Sequence, residues 1–172
     1  MIHEFYHENH NLEKIIDYEI YTDGSCKGQV FGGWAFMVLS DSKLIAYNAG
    51  QEAPTTNQRM ELLAAAKALE FIMPLRTANQ RVSLYSDSAY LINCYTQKWY
   101  EGWLKNGWTN SSGKAVVHKD LWEQIIPFFQ HWWFSFHKVK GHDTNYWNNK
   151  CDELAQSEAE KCKFQGRYTN GK

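Results

Sequence analysis

A chain of 172 residues that is 44% hydrophobic and 22% charged has the make-up of a soluble globular protein, long enough to bury one substantial core without disulfides or structural metal. No run approaches the roughly 20 apolar residues of a membrane span, and the amino terminus lacks the basic-then-apolar order of a secretory signal, so a cytoplasmic location is expected. The net charge of −1 excludes binding of nucleic acid by bulk positive charge, although Lys98 to Lys119 holds four lysines against one acid, Glu101.

Residues 1–16 read as an N-terminal extension, flexible or helical. Within it His3-Glu4-Phe5-Tyr6-His7 fits the H-E-x-x-H zinc signature. That chemistry needs a buried helix and a third ligand, and a solvated tail matched by chance is the simpler reading. The folded domain is expected over 17–162, with 163–172 as a polar tail.

A first strand is expected from Asp17 to about Ser25, delivering Asp23 at or near its end. Trp34–Leu39 reads as a second, strongly apolar strand. Asp41-Ser42 turns into a third, Lys43 to about Gln51, which completes an antiparallel meander. Pro54 then announces a helix, with Thr55 and Gln58 spaced as a capping box, running to about Met73 where Pro74 ends it. Leu62, Ala65, Ala66, Leu69 and Ile72 or Met73 form its apolar stripe. Glu61 shares a face with Ala65, Ala68 and Ile72, and a carboxylate turned toward a sheet is costly unless paired or metal-bound.

Arg81–Ser86 reads as a fourth strand that places Asp87 at its carboxyl end, and Ser88 can cap the next helix, Ala89 to about Tyr95. A short helix from Lys98 to about Lys105 carries Trp99 and Trp103. Asp120 to about Phe129 is a helix shortened or kinked by Pro127, and Trp133–Val139 is a fifth strand. A polar loop with His142 leads to a last helix, Tyr146 to about Cys162, bearing Asp152. The four cysteines (Cys26, Cys94, Cys151, Cys162) contain no C-x-x-C pair and read as reduced, mostly packed thiols.

A meander followed by strands reached through helical crossovers predicts an α/β fold: a five-stranded mixed sheet, three antiparallel strands plus parallel ones, flanked by helices. If the first and fourth strands are parallel neighbours, Asp23 and Asp87 emerge side by side at their carboxyl ends, where α/β sheets bind ligands. Glu61 and Asp152 can close the cluster from the flanking helices. Four such carboxylates cannot all ionise near neutral pH without cations. An oxygen-only ligand set favours Mg²⁺ or Mn²⁺ over zinc, and two such ions can activate water at a phosphodiester.

Tyr-Thr-Asp-Gly-Ser-Cys (21–26), Thr-Thr-Asn-Gln-Arg-Met-Glu-Leu (55–62), Tyr-Ser-Asp-Ser (85–88), Val-Lys-Gly-His (139–142) and Lys-Cys-Asp-Glu-Leu-Ala (150–155) resemble, in order, the motifs of type 1 ribonuclease H. The resemblance covers about residues 17–160. It implies an endonuclease that hydrolyses the RNA strand of RNA/DNA hybrids with two Mg²⁺ ions, Mn²⁺ being an alternative, and leaves 5′-phosphate and 3′-hydroxyl ends. It implies that Asp23 bridges both ions, Glu61 and Asp87 join it on one, and Asp152 joins it on the other. His142 would assist proton movement or product departure. Gly24, Ser25, Cys26, Asn57 and Gln58 would meet the minor groove, where ribose 2′-hydroxyls tell RNA from DNA. Thr56 would meet a DNA phosphate, and Trp99, Trp103 and Lys105 would form a handle on the DNA strand, with Trp99 the more buried tryptophan. A monomer is expected.

The chain departs from the family pattern at Gln29-Val30-Phe31, Pro54, Leu104, Asn106, His118 and the loop after His142. None of these touches the four acids. They imply a weaker, more salt-sensitive grip on the hybrid, and they keep open a second reading, a hybrid-binding module with weak or no catalysis.

Overall fold

The computed structural model describes residues 16–77, 79–140 and 145–169, with side chains through 166; the H-E-x-x-H match and His142 lie outside them. Strand β1 (Ile16–Lys27) pairs antiparallel with β2 (Phe31–Ser40), which pairs antiparallel with β3 (Lys43–Glu52). Asp41 and Ser42 join β2 to β3 with φ of 48° and 60°, the mirror-image turn that suits the twist of a two-residue hairpin. Gly32 through Leu39 are all buried, as expected of a strand covered on both faces.

Parallel strands β4 (Gln80–Ser86) and β5 (Phe134–Lys138) extend the sheet, giving the order β3-β2-β1-β4-β5. This is the mixed five-stranded sheet that the sequence predicts. One detail differs. Asp23 does not end its strand, because β1 runs on to Lys27 against β2; it is β4 that stops, at Ser86, and the last β1–β4 partners are Tyr21 and Tyr85. Asp23 therefore stands at a step in the sheet, supported on one side and open on the other.

Helix α1 (Asn57–Ile72) buries Leu62, Ala65, Ala66, Leu69 and Ile72, as its period requires. Its cap is Thr56, whose hydroxyl accepts from the Arg59 amide at 3.2 Å, and not Thr55. Thr55 is committed elsewhere: its amide donates to the Val30 carbonyl and its hydroxyl to Glu52. The helix stops one residue short of the expected Met73, which begins a 3-10 turn (Met73–Leu75) containing Pro74.

Helices α2 (Ala89–Thr96), α3 (Trp99–Lys105) and α4 (Lys119–Ile125) follow. Pro127 converts the expected end of α4 into a 3-10 turn, Ile126–Gln130, since proline donates no amide hydrogen bond. Helix α5 (Tyr146–Thr169) continues past the expected end at Cys162. Glycine at 166 makes this extension fit, because a Cβ there would lie 2.4 Å from the Phe31 ring.

The two faces of the sheet are covered unequally. A thick apolar core lies between the sheet and α1, α2 and α4, including Ile20, Phe36, Leu69, Leu84 and the fully buried Trp122. On the other face α5 packs through a thinner cluster, Tyr21, Ala35, Met37, Leu39, Cys151 and Ala155. Glycines set both approaches. A Cβ at Gly24 would come within 2.2 Å of the Glu61 amide nitrogen, and one at Gly33 within 2.2 Å of the Ala155 carbonyl oxygen. Any side chain at either position would lift a helix, and with it an acid.

Candidate active site

Asp23 is only 8% exposed. The Gly24 amide donates to its Oδ1 at 2.7 Å. Burial, and then the negative charges of Asp87, Asp152 and, more weakly, Glu61, push its carboxyl up to about 8 despite that hydrogen bond. The charges of the three other acids, each carried on a separate element, are thus felt at Asp23.

Glu61 comes from the second turn of α1. Its burial raises its pKa, the charge of Asp87 adds to the rise, and hydrogen bonds from Ser88 and Asn57 oppose it. Ser88 Oγ donates to Glu61 Oε2, and Asn57 Nδ2 donates to Oε1 at 2.8 Å. The cost of turning this carboxylate inward is thus met by two donors. Asp87 is half-buried just beyond the last residue of β4. Asp152, half-buried on α5, accepts from Gln156 Nε2 at 2.7 Å.

Gly24 is buried, while Ser25 and Cys26 are half-buried on the overhanging end of β1. The Cys26 thiol lies 3.6 Å from the Thr55 carbonyl. Thr56, Asn57 and Gln58 are exposed at the start of α1, on the side of the sheet from which Glu61 reaches in. The cysteines are free, as expected, and all but Cys26 are buried.

The tryptophan segment reverses one expectation. Trp103, at 7% exposure, is the buried residue, packed edge-on against Trp122 with centroids 5.3 Å apart. Trp99 is only half-buried, beside Tyr90, and its indole nitrogen donates to Gln97. A left-handed Lys98 starts α3 at Trp99 and directs position 103, one turn on, toward the body. Lys105 is exposed. A cleft of about 420 Å³ opens between α3 and residues 109–117, with Trp99 and Trp103 in its wall.

Ser88 is the site residue that the sequence assigned too little. It does cap α2, accepting from the Leu91 amide, but the same hydroxyl holds Glu61. No local signal joins position 88 to position 61; only the packing of α2 against α1 does.

The donor chemistry fits a hard divalent cation. All four acids supply oxygen, they are partly dehydrated, and a cation would offset the burial and the repulsion that raise the Asp23 carboxyl. Two buried oxygens lack a partner among the described residues: Thr22 Oγ1, next to Asp23, and Asn148 Oδ1, one helical turn before Asp152. Among the described residues the acids are not closed into a preformed ligand shell, so a cation would draw them inward.

The ribonuclease H family model matches residues 16–160. A ribonuclease H of Chlorobaculum parvum is 45% identical over 146 residues, covering 84% of this chain and 95% of that protein. One of Syntrophomonas wolfei is 44% identical over 139 residues, covering 80% and 92%. Among solved structures, LC9-RNase H1, described as a type 1 RNase H with the type 2 active-site motif, superimposes with a TM-score of 0.72 at 23% identity, over 87% of this chain and 74% of that one. The RNase H domain of PFV gives 0.70 at 19% identity, over 87% and 98%. The fold is that of an RNase H-like α/β domain. The chain belongs to the ribonuclease H family.

Proposed function

We propose that this protein is a metal-dependent endonuclease that cleaves the RNA strand of RNA/DNA hybrids, releasing 5′-phosphate and 3′-hydroxyl ends. Family membership supports ribonuclease activity on such hybrids, and LC11-RNase H1, a structural neighbour with a TM-score of 0.59, was crystallised in complex with RNA/DNA hybrid. The observation that carries the finer reading is the convergence of Asp87, Asp152 and Glu61 on the buried carboxyl of Asp23.

Asp23 would hold two Mg²⁺ ions, or Mn²⁺ in their place, with Glu61 and Asp87 completing one position and Asp152 the other. Bound there, the pair would supply an activated water and neutralise charge building on the phosphodiester. The protein's own residues do the placing. Ser88 and Asn57 fix the Glu61 carboxylate, Gly24 lets α1 close on β1, and Gly33 lets α5 close on β2. His142 would move a proton near neutral pH.

Asn57, Gln58 and the backbone of Gly24, Ser25 and Cys26 line the approach for ribose 2′-hydroxyls, with Thr56 toward a phosphate. Trp99 and Lys105 offer the exposed handle for the DNA strand, while Trp103 anchors it. The protein is expected to act as a monomer. No described helix is long and apolar enough to cross a membrane.

The test is cleavage of an end-labelled hybrid in Mg²⁺, with Asp23→Asn as the control. The expected result is RNA-strand cleavage that falls at least about a thousandfold in the variant, as for loss of a group that organises the reacting atoms. Undiminished cleavage by Asp23→Asn would remove the basis of the assignment. Tight hybrid binding without turnover, in Mg²⁺ and Mn²⁺ alike, would establish the binding-module reading instead.

A further inference from the structure

The two surfaces proposed to meet the hybrid, the start of α1 and the α3 handle, are far apart in sequence, and one side chain joins the pieces that carry them. Arg59, in the first turn of α1, has all three guanidinium nitrogens engaged. Its Nε donates to Glu52 Oε1 at 2.6 Å, its Nη1 donates to Asp120 Oδ1 at 3.1 Å, and its Nη2 lies 2.9 Å from Asp120 Oδ2. Glu52, the last residue of β3, also accepts from the Thr55 hydroxyl at 3.1 Å, and the Arg59 amide donates to Thr56 Oγ1 at 3.2 Å. Residues 52–59 are thus braced as one unit, with Thr56 and Asn57 on its exposed turn.

Asp120 carries the brace across to the first turn of α4. That helix has no side-chain cap of its own: His118 precedes it in the left-handed region, and the His118 carbonyl accepts from the Leu121 and Trp122 amides. A short helix with an uncapped start frays readily, so the guanidinium at Asp120 holds it from outside. Helix α4 in turn fixes the handle. Trp122 packs edge-on against Trp103 of α3, and the Lys119 ammonium lies 5.4 Å from the centroid of the Trp108 ring. Trp108 closes a small hairpin between α3 and α4, where its carbonyl accepts from the Val116 amide at 2.9 Å and Thr109 bridges Ala115. Arg59 and Glu52 are only 24% and 30% exposed, and a planar fork matches carboxylates better than a lone ammonium does. With both carboxylates on it, this guanidinium is committed within the protein and not toward a phosphate.

We infer that Arg59 is a positioning residue for the hybrid: by bridging Glu52 and Asp120 it fixes the start of α1 relative to α4 and the handle, so that one duplex is held by both surfaces at once. This rests on the nuclease reading for what the surfaces hold, but not for the brace itself. Two surfaces on one ligand reinforce each other only while their separation suits it. Loosening the brace therefore weakens binding and leaves the four acids in place.

Arg59→Met keeps the aliphatic stem and removes the fork. In the full chain, the Kd for an RNA/DNA hybrid, read by fluorescence anisotropy in a chelator, should rise at least about fivefold. In a Trp99→Ala background, where one surface is already weakened, the same substitution should change Kd less than about twofold. In Mg²⁺, cleavage should show a raised KM with kcat unchanged. Asp120→Asn, at a side chain 58% exposed, is a milder second variant and should raise Kd in the same direction. Amide exchange at Leu121 and Trp122 should accelerate at least about fivefold in Arg59→Met and stay unchanged in β1.

A Kd within twofold of wild type for Arg59→Met would overturn the inference, as would an equal rise with and without Trp99, or a fall in kcat at unchanged KM. If the wild-type chain neither binds nor cleaves hybrid, the nuclease reading fails, while exchange at Leu121 and Trp122 still decides whether Arg59 holds α4. Faster exchange spread through β1 as well would mean general loosening, and would also overturn it.

Discussion

The two faces of the sheet do different work. Between the sheet and α1, α2 and α4, large apolar side chains fill a continuous core, with aromatic rings meeting edge to face around Trp122 and Phe129. On the α5 face the layer between helix and sheet is a smaller cluster, in which Ala35, Cys151, Ala155 and Gly33 sit among Tyr21, Met37 and Leu39. Past the reach of α5, strands β4 and β5 carry Ser83, Tyr85, Ser135 and His137, with Ser135 Oγ 2.9 Å from His137 Nε2. The thick side supplies stability. The thin side brings backbones close enough for charge to be concentrated, and it tolerates a cost that the thick side offsets.

The comparison can be broken first on the thick side. Trp122→Ala should destabilise the protein by about 3–5 kcal/mol, because a fully buried ring is lost and its neighbours cannot close the gap. Urea denaturation measures this, and a loss below about 1 kcal/mol would mean that the core is not the source of stability.

The second test sharpens the cost on the thin side. The Asp23 carboxyl is held near 8, above its ordinary value of 3.8. Between these values the native state binds more protons than the unfolded chain, so metal-free stability should fall as pH rises from about 4 to 8. Asp23→Asn should flatten that slope and leave the metal-free protein more stable at pH 8 by on the order of 2 kcal/mol. Denaturation in a chelator at pH 5 and pH 8 reads it; equal slopes for the two proteins would contradict the electrostatic account.

The smallest effect belongs to the joint between the faces. Ser88→Ala removes a helix cap and a donor to Glu61, and should cost about 1 kcal/mol of stability. Left with one fewer donor, Glu61 should hold its proton to higher pH. Cleavage at low Mg²⁺ should therefore fall a few-fold and shift its pH dependence upward, an effect absent if Ser88 serves only as a cap.

The features legible in the sequence were those with a local signature. Period-two and period-3.6 patterns marked five strands and the main helices, and the spacing of Glu61 along α1 marked a carboxylate facing inward. Features set by distant partners were not legible. Thr55, with Gln58 three residues on, reads as the cap until Val30 and Glu52 engage it and leave the role to Thr56. Trp99 and Trp103 exchange their expected burial because Trp122, far along the chain, receives the second. The last helix reads as ending near Cys162 until Phe31 is found against Gly166. The acids stand out by local context, but the hydroxyl that restrains Glu61 belongs to a residue 27 positions away.

The overhang of β1 beyond β4 has a consequence for how the site responds when its charges are unbalanced. Asp23 lies within a strand that stays bonded to β2 for four residues past it, so its main chain has little room to yield. Glu61 and Asp152 sit on helices near their starts, and Asp87 just off a strand end, where a side chain or a turn can give way. The four acids are thus one fixed point and three adjustable ones. Repulsion in the empty cluster should be relaxed by movement of the three, while Asp23, unable to retreat, takes up a proton. A site of this kind has a built-in origin of coordinates: whatever it gathers is assembled around Asp23, and the order of assembly runs outward from it.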